Sequence, residues 1–265
     1  MTAAATPQVP TTPRSPNRPN HRSWVEIFLT NRIVLLAVLL VIMLVVFYAL
    51  SGAGALNGQY NSDYLAATLI NLVPLTMLAL AQLLVIVSGG GGIDLSVGST
   101  VSLTSMVFGF MYGLWGWPLW MAIIAAVIFG ALCGAVNGAL VAFIGFPPLI
   151  ATLATYYAYW SLALVINNQQ PISTPPIQGL YSLSAGFELP LIGRYLPLIP
   201  MGVILFLLPT VIVVWYLVSR TTFGRALYGV GTNEVATAWS GVSVRATRFT
   251  VYTLSGAIAG LVAVV

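Results

Sequence analysis

Ser88-Gly89-Gly90-Gly91-Gly92-Ile93-Asp94-Leu95-Ser96-Val97-Gly98-Ser99 is the stretch that decides how the rest of the chain is read. It sets a glycine run, a carboxylate and serine hydroxyls between two long apolar segments. Four successive glycines have no side chain to pack and a large backbone entropy to lose, so they interrupt a helix. A carboxylate near hydrocarbon is costly and marks a functional site by default. A helix that restarts after the interruption finds Asp94 or Ser96 placed to cap its first amides. Broken helices at membrane depth occur where backbone lines a cavity or is enclosed by protein. Two readings of Asp94 stand: a helix cap at the end of a short loop, or a group on the wall of a path.

The composition names the solvent. Of 265 residues, 59% are hydrophobic and 5% charged, and the mean hydropathy is +0.97. Soluble domains carry roughly 25% charged residues, so so few charges cannot cover a surface facing water. The net charge of +4 comes from arginine alone, since there is no lysine. The five acids, Glu26, Asp63, Asp94, Glu188 and Glu234, stand far apart. With Cys133 the only cysteine and His21 the only histidine, neither an internal disulfide nor a cysteine–histidine metal site is expected. The expected fold class is all-α: a polytopic integral membrane protein of about seven spans, with a broken helix near 88–96.

Residues 1–30 are polar, with Pro7, Pro10, Pro13, Pro16 and Pro19 at intervals of three and arginines between them. They are expected to form an extended, disordered tail. The membrane-spanning body is expected over 31–265. Ile33 to Leu50 is an unbroken apolar run of spanning length, too long for a signal-peptide core. Arg14, Arg18, Arg22 and Arg32 precede it, which places the N-terminus in the cytoplasm.

Residues 51–63 read as an external loop. A second span, Tyr64 to Val87, carries Asn71, Pro74 and Gln82. Its two amides serve either interhelix hydrogen bonds or a polar path. After the glycine break, a third span runs from Leu95 to Leu114, ended by Trp115, Trp117 and Trp120 at an interface. The fourth, Leu119 to Phe143, holds Gly130, Gly134 and Gly138 at intervals of four, a seam for close helix packing. Asn137 sits beside that seam. Phe146-Pro147-Pro148 leads into a fifth span to Ile166, whose Thr152, Thr155 and tyrosines form a polar, aromatic side. Residues 167–198 read as an external loop with a short surface helix, and a sixth span follows over Ile199 to Val218.

Arg220, Arg225, Arg245 and Arg248 cluster after the sixth span. Counting from a cytoplasmic N-terminus puts that segment in the cytoplasm, as the arginine bias also requires. Within it, Thr232 or Asn233 can cap a helix of about two turns, Glu234 suits its positive end, and Gly241 can terminate it. That helix either lies on the membrane surface, held by Trp239, or docks a cytoplasmic subunit. A seventh span begins at Thr250, with Gly256 and Gly260 for packing. The sequence stops among apolar residues, and we read it as incomplete at its C-terminus.

Three blocks resemble a known family. Gly92-Ile93-Asp94-Leu95-Ser96-Val97-Gly98-Ser99 looks like the signature of sugar-type ABC importer permeases, the ribose/xylose/galactoside family. Phe146-Pro147-Pro148-Leu149-Ile150-Ala151-Thr152-Leu153-Ala154-Thr155 is similar to that family's proline-led helix. Thr222-Phe223-Gly224-Arg225-Ala226-Leu227-Tyr228-Gly229-Val230-Gly231-Thr232-Asn233-Glu234, continuing to Gly241, resembles its ATPase-facing loop. The likeness covers roughly residues 35–265. One departure is local: Val235-Ala236-Thr237 stands where many importer permeases have Glu-Ala-Ala.

The resemblance implies a bacterial plasma (inner) membrane permease with no cofactor of its own, which pairs with a second copy or a paralogue. It also implies cytoplasmic ATPase subunits, an extracytoplasmic substrate-binding protein and no nucleic acid. Phe223, Gly224, Arg225, Asn233, Glu234, Ala236 and Gly241 are then the coupling residues. Asp94, Ser96, Ser99, Asn71, Gln82, Thr152 and Thr155 are candidates for the broken helix and the solute path. The solute is expected to be a monosaccharide, with a nucleoside, polyol or autoinducer as alternatives. No Walker A sequence is present, so any ATP is hydrolysed by a partner and no catalytic residue is assigned. There are two rivals. An ion-coupled secondary transporter would place ionisable groups inside its spans, where only Asp94 qualifies. An intramembrane enzyme would need clustered bases or metal ligands, but His21 lies in the tail and the acids are scattered.

Overall fold

The computed structural model describes residues 31–55, 62–184, 186–187 and 199–265. The proline-rich tail, the polar residues Asn57, Gln59 and Asn61, and Glu188 and Arg194 lie outside them. The chain divides into two units, residues 1–60 and 61–265. The first holds α1, Arg32–Gly52, opened by Asn31, whose Oδ1 accepts from the amide of Ile33 at 3.1 Å.

In the second unit, α2 runs Ser62–Val87 with Pro74 inside it. The glycine break follows, then α3, Val97–Phe108, extended by a π-helical turn at Gly109–Leu114. Helix α4, Leu119–Ala139, ends in a second π-helical turn at Leu140–Ile144. Gly145, at φ +85°, closes that turn in a conformation open mainly to glycine. Pro147 and Pro148 then set the start of α5, Pro148–Val165. Helix α6, Pro175–Ser184, is the predicted surface helix of the 167–198 segment. Two short strands, β1 (Gly186–Phe187) and β2 (Ile199–Pro200), pair antiparallel, Gly186 opposite Pro200.

A third π-helical turn, Val203–Leu207, leads into α7, Leu208–Arg220. Pro209 lacks the amide that Leu205 would otherwise receive, and Leu208 instead bonds Val203, five residues back. The chain ends with α8 (Thr222–Thr232), α9 (Glu234–Trp239) and α10 (Val244–Val262).

Six helices among the described residues are long and apolar enough to cross a membrane: Ile33–Gly52, Ile70–Val87, Val97–Leu114, Leu119–Ile144, Pro148–Val165 and Val203–Arg220. The fold is the expected all-α, polytopic one. The helix expected to begin a seventh span at Thr250 starts six residues earlier, at Val244. It takes in Arg245 and Arg248, and it is not among the six. A second expectation is corrected at Thr222–Thr232, read as part of a loop and here a helix. Its glycines serve close approach. A Cβ on Gly224 would strike the carbonyl of Val218, and one on Gly231 the carbonyl of Val87.

Helix α10 is the axis of the second unit. Its Gly256 and Gly260 meet Gly130 and Gly134 of α4, and Gly138 meets Phe249, so the two predicted seams are halves of one contact. A Cβ on Gly130 would lie 2.6 Å from the Cα of Gly260, and one on Gly138 2.9 Å from the carbonyl oxygen of Phe249. In lipid, helices associate through such backbone approach, because tails are as apolar as leucine. The opposite face of α4 presents Ile124, Ile128, Leu132 and Val136, all about half exposed or more, an aliphatic surface suited to lipid. At one end of the unit, Leu84, Val85, Val141, Ala151, Val214, Leu227, Val251 and Tyr252 form a buried cluster. That cluster joins the end of α2 to the start of α5 and to α7, α8 and α10. The glycine break lies at this end.

Candidate functional site

The break is built by backbone conformation and then fixed by side chains. Gly89, Gly90 and Gly91 hold φ of +68°, +63° and +71°, a run of left-handed residues that only glycine adopts without strain. Ser88, buried, turns its hydroxyl back to the carbonyl of Val85 at 2.7 Å and so ends α2. The chain then folds Asp94 back against its own helix. In the amide orientation that satisfies both partners, the Gln82 side chain donates to the Asp94 carbonyl and accepts from its amide, each at 3.2 Å.

Asp94 is 4% exposed. Its Oδ1 accepts from the amide of Ser96 at 2.9 Å and from the Ser96 hydroxyl at 2.7 Å. Of the two candidate caps, Asp94 therefore takes the first free amide and Ser96 does not act as a cap. Ser96 stands at the N-cap position of α3, but its side chain makes no capping bond, because the hydroxyl is committed to Asp94. Asn137 of α4 donates to that same hydroxyl at 2.6 Å, and its oxygen accepts from Thr155 of α5 at 2.6 Å. Thr152, one turn earlier on α5, accepts from the amide of Leu95 at 3.1 Å and donates to the carbonyl of Pro148 at 2.9 Å. Ser99 donates to the carbonyl of Ser96 at 2.8 Å.

Six of the seven predicted residues therefore meet in one place: Gln82, Asp94, Ser96, Ser99, Thr152 and Thr155. Five of them are at most 7% exposed, and Gln82 is half-buried. They form a joint that pins the broken helix to α4 and α5. Asn71 is not part of it. It lies on an exposed side of α2, three turns before Gln82. Asn137, beside the glycine seam in the sequence, is the hub of the joint.

Sequence reasoning missed α10's share. Ser255, fully buried, lies beside the Asp94 carboxylate. Tyr252 is buried near both Asp94 and Arg248. The hydroxyls of Ser255 and Tyr252 have no hydrogen-bond partner among the described residues. Arg248, Tyr252 and Ser255 stand at i, i+4 and i+7, the spacing of one helix face. That spacing was the available signal.

The second predicted site is the segment after α7. Thr221 caps α8, accepting from the amide of Gly224. Helix α8 turns Gly224, Leu227 and Val230 inward, with Phe223 packed on the buried cluster and Arg225 outward. Asn233 caps α9 as expected, its Oδ1 accepting from Ala236 at 3.0 Å. Gly241, at φ +88°, turns the chain away beyond it. Helix α9 is almost wholly exposed, Val235 at 66% and Trp239 at 87%. A cleft of about 530 Å³ beside it is lined also by Phe143, Ile144 and Gly145 of the α4–α5 turn. Glu234 forms a two-pronged ion pair with Arg248, at 2.7 and 3.2 Å. No group of three or more histidine, cysteine or acidic side chains is placed for a metal among the described residues.

Six apolar helices among the described residues, two of them joined by the glycine break at a buried polar joint, define a multi-span membrane protein. The chain belongs to the family described as branched-chain amino acid transport system / permease component, which it matches over residues 64–265. It is 34% identical over 215 residues to the autoinducer 2 import system permease protein of Klebsiella pneumoniae, covering 80% of this chain and 62% of that protein. The protein of the same name from Salmonella typhimurium is 32% identical over 208 residues, 77% of this chain and 57% of its own length. The fructose import permease protein of Rhizobium meliloti is 32% identical over 208 residues, 78% and 56%. The chain thus spans about three-fifths of the length of these relatives. The family resemblance carried by the three blocks is borne out. No solved structure matches.

Proposed function

We propose that this chain is the membrane-spanning subunit of an ATP-driven importer in a bacterial plasma (inner) membrane, walling the route of a monosaccharide or of autoinducer 2. The observation that carries this reading is the family match across the whole second unit, joined to relatives whose names specify import of autoinducer 2 and of fructose. The partners it calls for are cytoplasmic ATPase subunits, a second copy or a paralogue, and an extracytoplasmic binding protein.

Energy then enters mechanically. The chain holds no lysine for a phosphate-binding loop, so force reaches it through contact. Helix α9 is the docking element: capped, exposed, with Val235 and Trp239 projecting and a cleft of mixed apolar and charged lining beside it. Phe223, Gly224 and Arg225 set α8, which carries α9 on the buried cluster. The Asp94 joint is the hinge about which the broken helix is held against α4 and α5 while the path opens to one side or the other. Neutral solutes need hydrogen-bonding groups and aromatic faces rather than counter-charges, which suits spans with so few ionisable residues.

Reconstitution tests the reading. The full-length protein, its ATPase partners and the binding protein encoded beside it are placed in liposomes and offered labelled fructose or autoinducer 2. Uptake that requires ATP inside reach of the ATPase and requires the binding protein is expected. Solute movement by the chain alone without nucleotide, or uptake that stops only when an ion gradient is collapsed, would falsify it.

A further inference from the structure

The ion pair after α8 touches the break. The guanidinium of Arg248 lies directly against the backbone of Gly90, where an added Cβ would stand 3.0 Å from Cζ. The same guanidinium holds both oxygens of Glu234, the first residue of α9. One residue away, Gly89 and Gly231 pack backbone to backbone: a Cβ on Gly89 would lie 2.8 Å from the Cα of Gly231. The last turn of α8 and the start of α9 therefore bear on the glycine run from two sides. Along α10, Arg248 is followed at helical spacing by buried Tyr252 and Ser255, which lead to Asp94.

We propose that Arg248 is the positioning residue that ties the docking helix to the broken span, holding Glu234 of α9 and the Gly90 backbone at once, so that displacement of α9 is delivered to the Asp94 joint. The proposal rests on α9 being the docking element. Two properties suit the role. The Arg248 side chain is 19% exposed and the Glu234 side chain 48%, so the pair is of the weak, half-solvated kind that can break and reform in each cycle. Arginine's planar fork fixes direction as well as charge, so a shift of Glu234 turns the guanidinium on the glycine backbone. A glycine run has no side chains to resist such a push, and its amides answer it by changing φ.

The test uses the full chain in lipid nanodiscs and then with its partners in liposomes. Amide hydrogen exchange is followed over residues 88–96 in Arg248→Gln, in Glu234→Gln and in the charge swap Glu234→Arg/Arg248→Glu. Exchange at the break is expected to rise by about fivefold in both single variants, the most that an ion pair of this exposure carries. The rise in Glu234→Gln is the informative one, because the Glu234 carboxylate is bonded to Arg248 and the substitution leaves the Gly89–Gly231 backbone contact in place. Solute moved per ATP hydrolysed is expected to fall in both single variants and to recover in the swap. Unchanged exchange over 88–96 in either single variant, or a swap that restores neither exchange nor coupling, overturns the proposal. The exchange arm needs no ATPase, so it decides the linkage even where reconstituted transport fails and the importer reading falls.

Discussion

Asp94 is held by the hydrogen bonds it accepts. Its Oδ1 takes both the amide and the hydroxyl of Ser96, and the Ser96 hydroxyl in turn takes Asn137. A buried donor left without its acceptor costs about 1–3 kcal/mol, and a neutral amide oxygen in the same place still accepts both bonds while relieving a buried charge. Asp94→Asn keeps an oxygen at that point; Asp94→Ala does not. The expected outcome is that Asp94→Asn unfolds within about 0.5 kcal/mol of the parent and Asp94→Ala lower by about 1–3 kcal/mol. Thermal unfolding of the purified protein, followed by tryptophan fluorescence, measures the difference. Equal losses in the two variants would mean that the charge itself, not its acceptor geometry, holds the joint. Thr155 is better insured than Ser96, since the carbonyl of Ala151 stands 3.2 Å from its hydroxyl as a second acceptor.

At the scale of elements, the contact between α4 and α10 bears most directly on stability. A Cβ added to Gly134 would strike the carbonyl of Tyr252 and come within 3.0 Å of the Cα of Gly256. Both obstacles are backbone, so neither side chain nor rotamer can give way. Gly134→Ala is expected to destabilise by about 1–3 kcal/mol. Gly98→Ala is the control: nothing lies within 4 Å of its added methyl, and within α3 it is expected to be neutral or stabilising by about 0.5–1 kcal/mol. Guanidinium-free thermal melts of the pair check this. The seams were legible in the sequence because four-residue spacing places glycines on one face whatever their partner, and the spans because apolar runs of this length have one use. Helix α8 was not legible. The segment was read as loop, and only the folded neighbours show what its glycines do: Gly224 meets the carbonyl of Val218, Gly231 that of Val87, and Gly229 the side chain of Thr237. The joint was half legible. Gln82, Asp94, Ser96, Ser99, Thr152 and Thr155 were chosen as polar residues in apolar surroundings, and they converge. Asn71 was chosen on the same ground and lies elsewhere, because residue type does not say which way a helix faces. Arg248 was counted for its charge, and its partner Glu234, fourteen residues away, is found only by folding the chain.

For the whole molecule, the second unit has two ends, and its elements sort between them. The α4–α5 turn at Gly145, helix α9 and the first residues of α10 share one cleft, and the glycine break joins them through Gly89 and Gly231. Helix α5 then carries the chain from Pro148 away from that end to Val165, so residues 167–184 belong to the other. Arg220, Arg225, Arg245 and Arg248 all lie in the segments of the first end, and cytoplasmic loops are the arginine-rich ones. The first end is therefore expected to face the cytoplasm, and with it the joint and the docking helix. Cys133 is the only cysteine and is buried, so a Cys133→Ser background gives a clean start for single reporters. Ser240→Cys, just past α9, is exposed, and so is Ser173→Cys, before α6. A membrane-impermeant maleimide added to intact cells, after removal of any outer wall barrier, is expected to label the reporter at 173 and not the one at 240. Inverted membrane vesicles are expected to reverse the result. Labelling of both reporters from one side would break the link between the arginine count and the two ends of the fold. Labelling in the opposite sense would put α9 outside the cell, where no ATPase can reach it, and would remove the importer reading with it.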